Sequence, residues 1–205
     1  LGVLLDAGLT MKPHIARTAA TCFYHLRRIR QIRRRVGADV AERLLLALVT
    51  SRLDYCNSSL AGLPRSSLDP LLRVQNAAAR LIFQLRPRDH VTPSLIQLHW
   101  LPVRFRVQYK LCMLMHYVHI GCAPAYLTNS VQATSTSSTR SGLRSASTTN
   151  YVTPRLRTKF GERAFSHAGP AAWNALPTDL RAQTSSSIFK SRLKTHFFSS
   201  AFDLS

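Results

Sequence analysis

Residues 12–36 read KPHIARTAATCFYHLRRIRQIRRRV, and this stretch decides the fold class. Ile15, Ala19, Cys22, Leu26 and Ile29 recur every three or four residues, which is the period of a helix with one apolar face. Around and beyond them stand Arg27, Arg28, Arg30, Arg33, Arg34 and Arg35, six arginines within nine residues. Pro13 suits a first helical turn, where a missing N–H costs nothing, and Gly37 is the expected stop. The spacing predicts a helix over 12–36 that packs on one side and presents guanidinium groups on the other. A guanidinium grips phosphate through two parallel N–H donors. Solvated helix faces ordinarily mix signs, yet no acid stands between Asp6 and Asp39. These six arginines are the first candidates for nucleic-acid contact.

Working outward, residues 1–6 (LGVLLD), closed by Ala7-Gly8, read as the end of a β-strand. Downstream, Leu44, Leu45, Leu48, Val49 and Leu53 give a second helix over 38–60, broken by Gly62-Leu63-Pro64. Ser67 is a candidate cap for a third helix over 68–85, in which the small residues 77–79 allow close packing. A polar connector over 86–90 leads to a short helix opened by Thr92-Pro93 and closed at Trp100-Leu101-Pro102. Residues 103–120 are apolar on nearly every face and read as the central buried helix, ended by Gly121, with one more turn over 124–127. Trp100 and Trp173 each lie beside a Leu-Pro pair, which marks them as packing anchors at turns more than as platforms for bases.

The composition changes at 128. Residues 128–150, TNSVQATSTSSTRSGLRSASTTN, are dominated by Ser and Thr and read as a linker. Residues 151–159 alternate like a strand. They carry a second basic cluster, Arg155, Arg157 and Lys159, with Arg163 nearby and Glu162 as the one local acid. Phe165, Trp173 and Leu176 are apolar anchors around Pro170 and Pro177. A last amphipathic helix over 185–198 shows Ile188, Phe189, Leu193 and Phe197 on one face. The expected architecture is therefore mainly α: a helical bundle (11–127) preceded by one short strand (1–10), then the Ser/Thr-rich linker (128–150) and a smaller, basic α+β segment (151–205). No fixed-period repeat is visible.

Across all 205 residues, 28 Lys+Arg face 9 Asp+Glu, a formal net charge of +19. Such an excess opposes compaction and points to a polyanionic partner, with nucleic acid (RNA, DNA or an RNA–DNA hybrid) the first candidate and an acidic membrane surface the second. Hydrophobic residues make up 45% of the chain, which is enough to fold. No run of eighteen apolar residues is present, and residues 1–6 lack the basic start and cleavage site of a signal peptide. No membrane partner is expected, and the location is expected to be intracellular, nuclear or cytoplasmic. Cys22, Cys56, Cys112 and Cys122 are widely spread and read as reduced and mostly buried. The chain starts at Leu1 rather than Met, as expected of a fragment, a processed product or a translated piece of a longer frame.

Catalytic signatures are missing from the sequence. Two-metal phosphoryl transfer needs converging carboxylates, but Asp6, Asp39, Glu42, Asp54, Asp69, Asp89, Glu162, Asp179 and Asp203 form no Asp-Asp pair. There is no phosphate-binding loop, no nucleophile elbow and no H-E-x-x-H. Cys112-x3-His116-x2-His119-x2-Cys122 has ligand-like spacing. Structural zinc sites, however, pair their ligands across turns, and this segment is otherwise intensely apolar. Core histidines are expected there, and no metal or other cofactor is assigned to the chain.

A series of short strings runs along the chain: Leu1-Gly2-Val3 and Lys12-Pro13-His14-Ile15; then Ser51-Arg52-Leu53-Asp54-Tyr55-Cys56-Asn57 and Gly62-Leu63-Pro64; then Val74-Gln75-Asn76-Ala77-Ala78-Ala79-Arg80. After these come His90-Val91-Thr92-Pro93, Leu98-His99-Trp100-Leu101-Pro102-Val103 with Arg104-Phe105-Arg106, Ala123-Pro124, Trp173-Asn174-Ala175-Leu176-Pro177, and finally Phe189-Lys190 with Leu193-Lys194. Each string is weak alone; their order over most of the chain is specific, and it resembles that of LINE-type (non-LTR) retrotransposon reverse transcriptases. The resemblance implies a parent RNA-directed DNA polymerase whose palm ends near residue 10. Its Mg-binding carboxylates would lie upstream. Residues 12 to about 85 would hold the thumb position that clamps template and primer against the parent's palm and fingers, and residues after 90 would be a C-terminal extension. The chain alone is expected to bind nucleic acid without polymerising. The alternatives are a stand-alone, domesticated basic interaction module or a transposon remnant without function.

Overall fold

The structure, a computed structural model, describes residues 2–134 and 149–204. It is mainly helical: α1 (Lys12–Ile32), α2 (Ala38–Leu45), α3 (Ser51–Asp54), α4 (Arg65–Phe83), α5 (Thr92–Gln97), α6 (Val103–His119), α7 (Ala125–Thr128), α8 (Phe165–Asn174), α9 (Thr178–Arg181) and α10 (Ser186–Phe202). The chain divides into two compact units, residues 1–106 with 198–205, and residues 107–197.

In the first unit α1 packs chiefly on α4. The apolar period does what it promised: Ile15, Ala19, Cys22, Leu26 and Ile29 are all buried. Opposite them α4 buries Leu71, Val74, Ala78, Ala79 and Ile82, and the fully buried Ala78 and Ala79 let the two backbones approach. Pro13 lies in the first turn of α1, as read from the sequence. Before that turn the Asp6 carboxylate accepts hydrogen bonds from the backbone N–H groups of Thr10 (3.0 Å) and Met11 (2.9 Å). The Thr10 bond, foremost, holds Asp6 below the ordinary carboxylate range.

Several boundaries differ from expectation. α1 stops at Ile32, not 36. Residues 33–36 form a turn closed by Arg35 N–H to Ile32 C=O (2.8 Å), and Gly37 opens α2 instead of ending α1. The helix expected over 38–60 runs as α2, one π-helical turn (Leu46–Thr50) and α3, ending at Asp54. Cys56, with φ +51°, breaks it before a 3-10 turn at Asn57–Leu60. α4 starts at Arg65, with Ser67 inside it rather than capping it.

No strand occurs among the described residues, so the short strand expected within 1–10 and the one expected over 151–159 are both corrected. A strand needs a neighbour along its length to take its N–H and C=O groups; among the described residues the first segment has none and the second has one only at its start. Residues 133 and 151 form a single antiparallel bridge. Beyond it, Asn174 takes the part of a neighbour: its amide accepts from Tyr151 N–H (3.0 Å) and donates to Tyr151 C=O (2.7 Å). Of the expected linker, residues 135–148 lie outside the described residues.

The second unit is built around α6, in which Val107, Leu111, Cys112, Met113, Met115, His116 and Val118 are buried. α8 lies against it, an element that the Gly169-Pro170 pair concealed in the sequence. A Cβ on Gly169 would stand 2.9 Å from Met115 Sδ, so glycine is what lets α6 and α8 meet there. α10 buries Phe189, Leu193 and Phe197 as expected, but Ile188 points outward. No helix among the described residues is long and apolar enough to cross a membrane.

Candidate nucleic-acid interface

The six arginines of the opening stretch have two different fates. Arg27, Arg28 and Arg30 stand exposed on the last turns of α1, and Arg34 and Arg35 stand exposed on the turn that follows. Arg33 is half-buried and folds back onto the end of α4. Its Nε donates to Leu81 C=O (3.2 Å), its Nη2 to Ile82 C=O (2.6 Å) and its Nη1 to Val36 C=O (2.9 Å). The last carbonyls of a helix have no partner within it and carry its negative pole. A fixed cation there satisfies two of them and ties the α1 terminus to the α4 terminus. Hydrogen bonds from a charged donor contribute about 1.5–3 kcal/mol each before solvent exposure discounts them.

The structure adds a residue that the sequence did not single out. Arg80 on α4 joins Arg30, Arg33 and Arg34 around an open cleft of about 450 Å³. Leu81 and Leu85 form part of its apolar wall, and none of its lining residues is acidic. Arg80 Nη2 donates to Asp89 C=O (3.2 Å), while its buried Nε has no partner. The Asp89 carboxylate, the acid nearest in sequence, is turned onto the backbone N–H of Arg86 (2.7 Å). One helical-face signal existed: 77, 80, 81 and 84 share a side of α4. Nothing in the sequence said that this side meets the end of α1.

The other strings that stood out do structural work. Gln75, fully buried, donates to Leu101 C=O (2.7 Å) and accepts from Val103 N–H (3.1 Å), pinning the loop before α6. Arg106 forms a two-pronged ion pair with Asp54 (2.8 and 2.6 Å). Trp100 is buried, and Trp173, wholly buried, donates its indole N–H to Thr149 C=O (2.8 Å). Both are packing anchors.

In the second unit Arg155, Arg157 and Lys159 are exposed. They lie on irregular backbone, so the shared strand face expected of them does not exist. The ligand-like spacing of residues 112–122 resolves into packing. Cys112 is buried with its thiol against Ala172 C=O, and burial pushes it up to about 12. His116 stacks on Phe189 (ring centroids 4.1 Å, planes 6° apart), and its Nε2 lies 3.3 Å from Ser186 Oγ. Burial first, then His119 and Lys190, hold it below the ordinary histidine value. His119 lies beside Tyr151 and Trp173, and Cys122 is exposed. Among the described residues no group of three or more His, Cys, Asp or Glu side chains is placed to hold a metal ion. Of the four thiols, Cys22 and Cys112 are buried, whereas Cys56 and Cys122 are exposed.

No protein-family model matches the chain, and no curated protein or solved structure matches it.

Proposed function

We propose that this chain is the post-palm part, thumb and C-terminal extension, of a LINE-type non-LTR retrotransposon reverse transcriptase. It grips RNA, DNA or a hybrid of the two without polymerising. The observation that carries the reading is the end of α1: five exposed arginines and no acid among them, on an element whose opposite face is buried against α4. That is the arrangement a clamp on a phosphate backbone needs, with rigidity from one side and cations on the other. The ordered strings quoted above support the family assignment. The nine acids form no carboxylate cluster fit for the Mg ions of a polymerase, so the catalytic metals are assigned to the parent's palm, along with the fingers as protein partners. Contact through phosphates makes binding weakly sequence-specific.

The test is anisotropy titration of DNA, RNA and hybrid duplexes of unrelated sequence over a range of salt. With about five phosphates neutralised, log K falls against log salt with a slope of about −4 to −5. Arg27→Gln with Arg28→Gln reduces that slope by about two. A slope near zero, or strong preference for one sequence, refutes the reading.

A further inference from the structure

The outer arginines and the cleft arginines differ in geometry. Arg27, Arg28 and Arg35 stand on open surface, where any phosphate along a strand can meet them. Arg30, Arg33, Arg34 and Arg80 instead converge on one concave space. Four formal positive charges with no acidic lining residue exceed what an internal phosphodiester, with its single charge, would neutralise. A terminal phosphate monoester carries about −1.5 to −2 at neutral pH and offers three strong acceptor oxygens. The Arg80 Nε, buried and without a partner, is a donor still to be satisfied. Arg33 is held in place by three carbonyls, so the cleft keeps its shape without a ligand. Leu81 and Leu85 supply an apolar wall of the kind a sugar or base packs against.

We propose that the cleft between the end of α1 and α4 is a discrete site for a nucleoside bearing a terminal phosphate, set apart from the open arginine track that meets internal phosphates. The ligand is either the phosphorylated end of a nucleic-acid strand or a free nucleotide. The proposal rests on the nucleic-acid-binding reading above and deepens it.

The experiment uses the full 205-residue chain and three versions of one single-stranded oligonucleotide, with a phosphate at the 5′ end, at the 3′ end, or at neither. At one salt concentration, at least one phosphorylated version binds about tenfold tighter than the unphosphorylated one. Arg30→Gln or Arg80→Gln brings that ratio to about one; Arg30 is exposed, so its variant folds even if the Arg80 variant does not. Arg27→Gln weakens all three versions alike and leaves the ratio intact. Competition by a nucleoside monophosphate separates the sources. Displacement at micromolar levels identifies a free-nucleotide site; none at millimolar levels identifies a strand-end site. Equal binding of all three oligonucleotides overturns the proposal while leaving the clamp reading in place, and so does a ratio that survives Arg30→Gln. Failure of every version to bind, at low salt as well, overturns both.

Discussion

The end of α1 with the turn after it, and the C-terminal half of α6 with the residues that follow, each carry a dense run of chemically capable side chains: RRIRQIRRR at 27–35 and CMLMHYVHIGC at 112–122. In the sequence both runs have the residue types of a site, but only the first reads as one, for phosphate; the second, despite its ligand-like spacing, reads as core. In the structure they part. Most of the arginines end in solvent with no acid beside them, while Cys112 and His116 end in a packed interior of aromatic rings. Density of functional groups therefore says little until the neighbours are known. What decides is whether the surroundings are water, which leaves a charge available, or side chains, which neutralise or consume it. Arg33 shows a division inside one run, because its guanidinium is fixed in place by carbonyls and keeps its charge at the cleft wall, while those of Arg34 and Arg35 stand exposed.

That contrast can be broken experimentally. The largest effect is expected from Phe189→Ala, which removes the ring stacked on His116. It destabilises the second unit by about 3–5 kcal/mol, read by urea denaturation with Trp173 fluorescence in a Trp100→Phe background. A loss below about 1 kcal/mol would mean that the aromatic core is not the packed interior described.

A middle-sized effect sharpens the division within the arginine run. Arg33→Gln lowers stability by about 1–2 kcal/mol, since charge-assisted bonds to helix-terminal carbonyls are lost in a half-exposed setting. Arg28→Gln stays within about 0.5 kcal/mol of the parent. In nucleic-acid binding the order reverses, with Arg28→Gln reducing the salt slope by about one and Arg33→Gln by less. Equal behaviour of the two variants in both assays would erase the distinction.

The smallest effect is in pH dependence. His116 sits below its ordinary value because burial disfavours the imidazolium, helped by His119 and Lys190. The unfolded chain takes up a proton near pH 6.5, where the folded chain does not. The stability linked to this group is therefore complete above about pH 6.5 and declines as pH falls below it. His116→Gln shallows the fall in stability between pH 7 and pH 5. It does not abolish it, because His14 and His119 are lowered in the same direction, chiefly by burial. An unchanged pH profile in His116→Gln would show that the buried imidazole is not what titrates.

Much of the helical layout was legible because burial on one side of a helix writes itself at every third or fourth position. Ile15 to Ile29 and Phe189 to Phe197 were read correctly on that signal alone. The errors came from features without a periodic signature. The strands at 1–10 and 151–159 were inferred from local apolar runs and alternation, but a strand is a property of a pair, and among the described residues these segments have no partner along their length. α8 was missed because glycine and proline, here Gly169 and Pro170, ordinarily disfavour a helix interior. Only the fit of Gly169 against Met115 shows why a helix carries that pair.

By itself the sequence determined that the chain is mainly helical, strongly cationic, and endowed with an amphipathic helix whose C-terminal end is dense in arginine. Helical period and charge are properties of neighbouring residues, so they survive in one dimension. Tertiary structure alone decided which arginines remain available, that Arg80 comes to join them, and which groups pack against Cys112 and His116. Those outcomes depend on residues far apart in sequence, Arg33 with Leu81 and Ile82, Cys112 with Ala172, and His116 with Phe189. Burial and convergence arise only when the chain closes on itself, and no local pattern encodes them.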